Sequence, residues 1–188
     1  MTVMIQALEL PWGSNGPEID ARIDAILKSW EGTPYSPDDA RKGLGVNCAR
    51  LIAKFLDELY GFDRAHLLPS APGDMSLHLP MRTALIARTM REIYSPSRLV
   101  RLGQEPTLPG DILLTGPVDG GVGHGLIAGV QPCVLWHASE SGVVRTGVGN
   151  SNYGLPLRSF RTTDRELWNR TSSCSPAQAS ASSPSPSS

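Results

Sequence analysis

An α+β fold, with N-terminal helices packed on a central antiparallel sheet of about five to six strands, follows from three features of the sequence. Amphipathic segments with helical spacing occupy the first part of the chain. Short β-type runs separated by Gly and Pro turns occupy the second. The chain has 188 residues, 40% of them hydrophobic and 19% charged, enough for one domain with a proper core.

Residues 1–16 read as an irregular N-terminal segment, punctuated by Pro11, Gly13 and Gly16. A first helix is expected over Pro17–Trp30. Pro17 suits a first helical position, and Ile19, Ile23, Ile26, Leu27 and Trp30 fall on one stripe. Gly32-Thr33-Pro34-Tyr35 ends it, and residues 36–47 read as a loop. A second helix is expected over Cys48–Tyr60, with Asn47 as N-cap and Gly61 as the residue past its end. Cys48, Ile52, Phe55, Leu56 and Leu59 form its apolar stripe, with Arg50, Lys54, Asp57 and Glu58 opposite. Residues 62–79 read as a loop and Pro80–Tyr94 as a third helix, together making an insert over 62–108. Strands are expected at Arg98–Leu102, Asp111–Thr115, Val122–Val130, Val134–Ala138, Val143–Val148 and Leu157–Arg161. The domain therefore spans 17–170. Residues 171–188 collapse to Ser, Ala and Pro and are expected to be disordered.

The net charge of −1 lacks the basic excess of a nucleic-acid binder. No apolar run approaches the ~18 residues needed to span a bilayer, so neither nucleic acid nor membrane is an expected partner. The three cysteines, Cys48, Cys133 and Cys174, contain no CxxC pair, which speaks against a disulfide framework or a zinc site. No cofactor or metal is expected. The first twenty residues carry no basic segment followed by an apolar one, so synthesis in the cytoplasm without a signal peptide is expected.

The chemistry centres on "GLGVNCARL", residues 43–51. A thiolate is the reactive form of cysteine, and a helix N-terminus lowers a thiol pKa because its unpaired N–H groups and dipole favour negative charge. Cys48 is expected at such a terminus, on the stripe facing the sheet. His124 lies on the run "GVGHGLIAGV" and His137 on the next, "VLWHAS". Antiparallel neighbours joined by a short turn can bring two such side chains together. One histidine would act as base to the thiol and the second would hold its tautomer, with the Cys48 N–H facing the oxyanion. Each residue has a plainer reading: a core thiol, a structural histidine, a simple cap. The order of helix-start cysteine and two strand histidines is more specific than any one part. Cys133 reads as a core or edge thiol, and Cys174, His66 and His78 as surface residues. Trp136 reads as packing against a helix, and Asp111 as fixing the turn at Pro109-Gly110.

These motifs together resemble the NlpC/P60 family of papain-like cysteine peptidases, which cleave peptide stems of bacterial cell walls. The family runs "GxPY", "GVDCSGL" opening a helix, "PGDLVFF", "HVGIY" and an "HA" strand. The counterparts are Gly32-Thr33-Pro34-Tyr35, Gly45-Val46-Asn47-Cys48-Ala49-Arg50-Leu51, Pro109-Gly110-Asp111-Ile112-Leu113-Leu114, His124-Gly125-Leu126-Ile127 and His137-Ala138. "ELYG" at Glu58–Gly61 and the insert resemble the phage-tail and gene-transfer-agent cell-wall peptidases. The resemblance implies a thiol-dependent, metal-independent peptidoglycan hydrolase with Cys48 as nucleophile, His124 as base and His137 as orienting residue. It implies a substrate groove bordered by Tyr35, Asn47, Ala49 and Arg50, a peptidoglycan stem peptide as partner, and association with phage tail or baseplate proteins in a virion. Asn47, Ala49 and Arg50 stand where the family keeps Asp, Ser and Gly, so the charge with which the Asp helps to recognise the stem's amino group is missing. Two other readings remain: a catalytically weakened structural tail component on the same fold, and a papain-like acyltransferase or other amidase. Permuted relatives place histidine before cysteine, whereas here no histidine precedes Cys48.

Overall fold

The computed structural model describes residues 12–61, 63, 65, 99–102, 106–115, 124–147 and 156–162. The expected helix at Pro80–Tyr94, the tail beyond Thr171, and Cys174, His66 and His78 lie outside them. Helix α1 covers Pro17–Trp30 with Pro17 in its first turn. Helix α2 covers Cys48–Tyr60 and stops at Gly61, whose φ of 69° is the left-handed conformation that glycine adopts without a Cβ penalty. Both helices end where local chemistry dictates.

Between them, the segment expected to be a loop forms a small antiparallel hairpin of β1 (Ala40–Arg41) and β2 (Gly45–Val46). The main sheet contains β3 (Leu99–Leu102), β4 (Ile112–Thr115), β5 (His124–Ala128), β6 (Val134–Ser139), β7 (Gly142–Gly147) and β8 (Pro156–Thr162). Its order is β3-β8-β4-β5-β6-β7, and every pairing is antiparallel. The α+β class is as the sequence predicts.

Strand alternation divides the core into two layers. Ile112, Leu114, Ile127, Trp136, Ala138 and Val143 pack on the helices through Ile23, Leu27, Trp30, Ile52, Phe55 and Leu59. Leu113, Leu126, Ala128 and Leu135 form the opposite layer with Trp12, which is held there by its bridge to Thr107. Full burial of side chains such as Ile52, Phe55 and Leu56 contributes roughly 1.5–3 kcal/mol each.

The polar side of α2 carries two tertiary contacts. Asp57 is buried and its Oδ2 accepts from the Ala65 N–H at 2.8 Å. Glu58 accepts from the Trp30 indole at 2.9 Å and pairs with Lys42 at 2.6 Å. Both carboxylates serve as tertiary tethers and not as a solvated face. Asp111 does fix its turn, accepting from Leu108 N–H at 2.7 Å. Cys133 is an exposed residue of the β5–β6 turn with φ of 62°, which removes the core half of its expected core-or-edge placement. Among the described residues, no helix is long and apolar enough to cross a membrane.

Candidate active site

The approach to Cys48 is fixed by backbone pairing. Val46 N–H donates to Pro34 O at 3.0 Å and Ser36 N–H to Val46 O at 3.2 Å, so residues 34–36 run alongside β2. A Cβ at Gly45 would collide with the Ser36 side chain, so this close approach needs glycine. Asn47 follows with an extended backbone and accepts from the Arg50 N–H at 2.9 Å, capping α2. Its Nδ2 donates to Pro37 O at 2.6 Å. One side chain therefore caps the helix and tethers the preceding loop.

Cys48 is the first residue of α2 and is half-buried. Burial pushes its thiol pKa up, and the N–H groups of Gly125, Ala49 and Cys48 itself pull it down without prevailing. The sequence expectation of a thiol acidified by the helix terminus is thus corrected. Desolvation of the charged form outweighs the local donors, so the resting group is the neutral thiol.

His124 opens β5 and His137 lies in β6. His124 Nε2 and His137 Nδ1 are 2.9 Å apart, with ring centroids 4.9 Å apart and planes at 85°. His137 is 1% exposed and His124 is half-buried. Desolvation, then the neighbouring His137, holds His124 down at about 4, and desolvation also pushes His137 down. Both rings are neutral at neutral pH.

The histidines stand two residues from Leu126 and Leu135 and share their strand face, which places them on the layer opposite α2. The sheet forks at this end. The β5–β6 ladder comprises Ile127↔Trp136 and Ala128↔Leu135, and towards His124 the strands part. The first turn of α2 meets β5 at this fork, with the Gly125 N–H at the Cys48 sulfur.

Of the other expected groove residues, Tyr35 is 45% exposed beside Val46, Ala49 is buried and Arg50 is half-buried in the first turn of α2. Among the described residues, no group of three or more His, Cys, Asp or Glu could hold a metal ion. Sequence reasoning missed two participants. Pro37 offers its carbonyl from a stretch with no distinguishing pattern. Gly125 carried a usable signal, a glycine inside a β-type run, which marks close backbone approach.

No family model matches the chain, and no curated protein matches it. A solved structure of similar shape is the NlpC/p60 domain of the peptidoglycan hydrolase SagA. Its sequence identity is 19% over 74% of this chain and 96% of that chain, with a TM-score of 0.45.

Proposed function

We propose that the chain is a cysteine hydrolase that cuts an amide bond in peptidoglycan stem peptides, as a phage or phage-like tail-associated cell-wall enzyme. The observation that carries this reading is the His124–His137 contact of 2.9 Å at the end of the sheet that receives the first turn of α2. The motif order from Gly32 to Ala138 supports the substrate class.

The steps follow from the groups present. His124 Nε2–H donates to His137 Nδ1, which leaves His124 Nδ1 unprotonated as the base. His137 then carries its own proton on Nε2 and fixes this tautomer, the part a third residue plays in a triad. Nδ1 takes the Cys48 proton as the sulfur attacks the amide carbonyl, and the first-turn N–H groups receive the developing oxyanion. The C–N bond breaks and His124 returns the proton to the leaving amine. Water, deprotonated by His124, attacks the thioester, releasing a carboxylate and restoring the thiol. Because burial favours the neutral thiol and neutral imidazole, proton transfer accompanies attack and no preformed ion pair is required. Tyr35, Asn47, Ala49 and Arg50 border the groove in this reading.

The test is to incubate purified peptidoglycan with the protein and with Cys48→Ala, and to identify soluble fragments by mass spectrometry. New amine and carboxylate ends at one stem position, absent with Cys48→Ala, are expected. Equal fragments from both proteins would remove Cys48 as nucleophile. Silence from both would favour the structural tail component. Transfer of the acyl group to an added amine would favour the acyltransferase.

A further inference from the structure

We propose that Gly125 is a positioning residue for Cys48: its missing Cβ lets Ile52 pack directly on β5, which seats the first turn of α2 in the β5–β6 fork with the sulfur at the Gly125 N–H. Its functional meaning rests on Cys48 being the nucleophile.

Two independent features of Gly125 converge. The first is steric. A Cβ at position 125 would lie 2.6 Å from Ile52 Cδ1 and 3.9 Å from its Cγ1, with Leu114 Cδ2 at 3.6 Å. Ile52 follows Cys48 by four residues and so lies on the same helix face, one turn further on. It is 1% exposed, and its β-branched side chain is stiff at χ1 in a helix. A methyl group at 125 therefore overpacks this contact and presses the first turn of α2 off the sheet.

The second feature is the direction of a donor. Gly129 N–H donates to Val134 O at 2.8 Å, and Ile127 pairs with Trp136. In an antiparallel ladder, alternate residues direct N–H to the same neighbour, so residues 125, 127 and 129 all direct theirs toward β6. The ladder ends at Ile127↔Trp136. The next donor on that edge, Gly125 N–H, lies at the Cys48 sulfur instead. The glycine thus supplies a donor released by the fork and the clearance that brings the sulfur to it. Among the described residues, the other ionisable groups at this end of the sheet are His124 on β5 and His137 on β6, with Arg50 in the first turn of α2. Substitutions at 125 or 52 leave the identity of all three unchanged.

The experiment measures Cys48 alkylation by iodoacetamide across pH, followed by intact mass, in a Cys133→Ser/Cys174→Ser background. Gly125→Ala is expected to raise the apparent thiol pKa and to slow alkylation at neutral pH about threefold or more, since the thiolate is the reacting form. Ile52→Val, which removes the opposing Cδ1, is expected to stay within about twofold of the parent. Gly125→Ala/Ile52→Val is expected to return to within about twofold of Ile52→Val, because the collision is gone. Gly125→Ala titrating like the parent, or the double variant remaining as slow as Gly125→Ala, would overturn the proposal. If circular dichroism shows Gly125→Ala unfolded, the double variant alone decides on the same criterion. Alkylation needs no peptidoglycan, so a parent protein that alkylates as described but releases no cell-wall fragments would refute the hydrolase reading and leave the positioning role intact.

Discussion

Asn47 makes two bonds that an aspartate could not make together. Its oxygen caps α2 at Arg50 N–H, and its amide nitrogen donates to Pro37 O. An ionised aspartate would keep the cap and gain from the helix dipole. It would also set a carboxylate against the Pro37 carbonyl and lose that donor. Asn47→Ala is expected to cost about 1–2 kcal/mol as a lost cap, and Asn47→Asp about 1 kcal/mol net, both read from urea unfolding midpoints. An Asn47→Asp protein as stable as the parent would show that losing the Pro37 bond costs no more than the helix dipole returns. The cap was legible in the sequence because it depends on residues 47 to 50 alone. The Pro37 bond was not, since it depends on a loop path that no local pattern encodes. The same limit applies to Cys48. Its place at a helix start could be read, but the burial that outweighs the local donors and raises its pKa is a property of the folded chain that no local pattern encodes.

At the scale of elements, the hairpin before Cys48 is pinned across both helices. Lys42 lies in the hairpin turn, pairs with Glu58 of α2 and sits 5.4 Å from the centroid of the Trp30 ring of α1. The Trp30 indole donates to the other Glu58 oxygen. Thr33 adds a second tie, accepting from Gly43 N–H at 3.1 Å. Glu58→Ala leaves a buried indole N–H without its acceptor and is expected to cost about 1–3 kcal/mol in chemical denaturation. Lys42→Ala removes a partly solvated ion pair and is expected to cost about 1 kcal/mol or less. The reverse ranking would mean that the ion pair, and not the indole bond, holds the hairpin. Both helices matched their expected bounds because Pro17, Asn47, Gly61 and the apolar stripes are local signals. The hairpin leaves no local signal because strands of two residues have no periodicity, and its anchors lie on α1 and α2.

For the whole molecule, six strands could be anticipated from alternation and turns, but their order could not. β8 lies between β3 and β4, a long-range arrangement that no spacing records. The same applies to the fork, which depends on where β5 and β6 cease to pair. Burial of the histidine pair also gives the molecule a pH dependence. His124 is held at about 4 against an ordinary value of 6.5. Between these values the unfolded chain binds a proton that the folded chain does not. Above 6.5 the group carries no penalty. As pH falls toward 4, stability is lost by about 3 kcal/mol, and below that the loss saturates. His137 adds in the same direction. Urea unfolding at neutral pH and again near pH 5 is expected to show a smaller acid loss for His124→Asn than for the parent; equal losses would mean that the ring is not buried as a neutral group.

In the proposed reaction Cys48 carries the acyl group of a cell-wall peptide. Acid-quenched reactions with a purified stem peptide, examined by intact mass and then by peptide mapping, test it directly. A mass gain equal to the acyl fragment, located on Cys48 and absent from Cys48→Ala, is the predicted result. Cleavage of the stem peptide by Cys48→Ala at the parent's rate would contradict it.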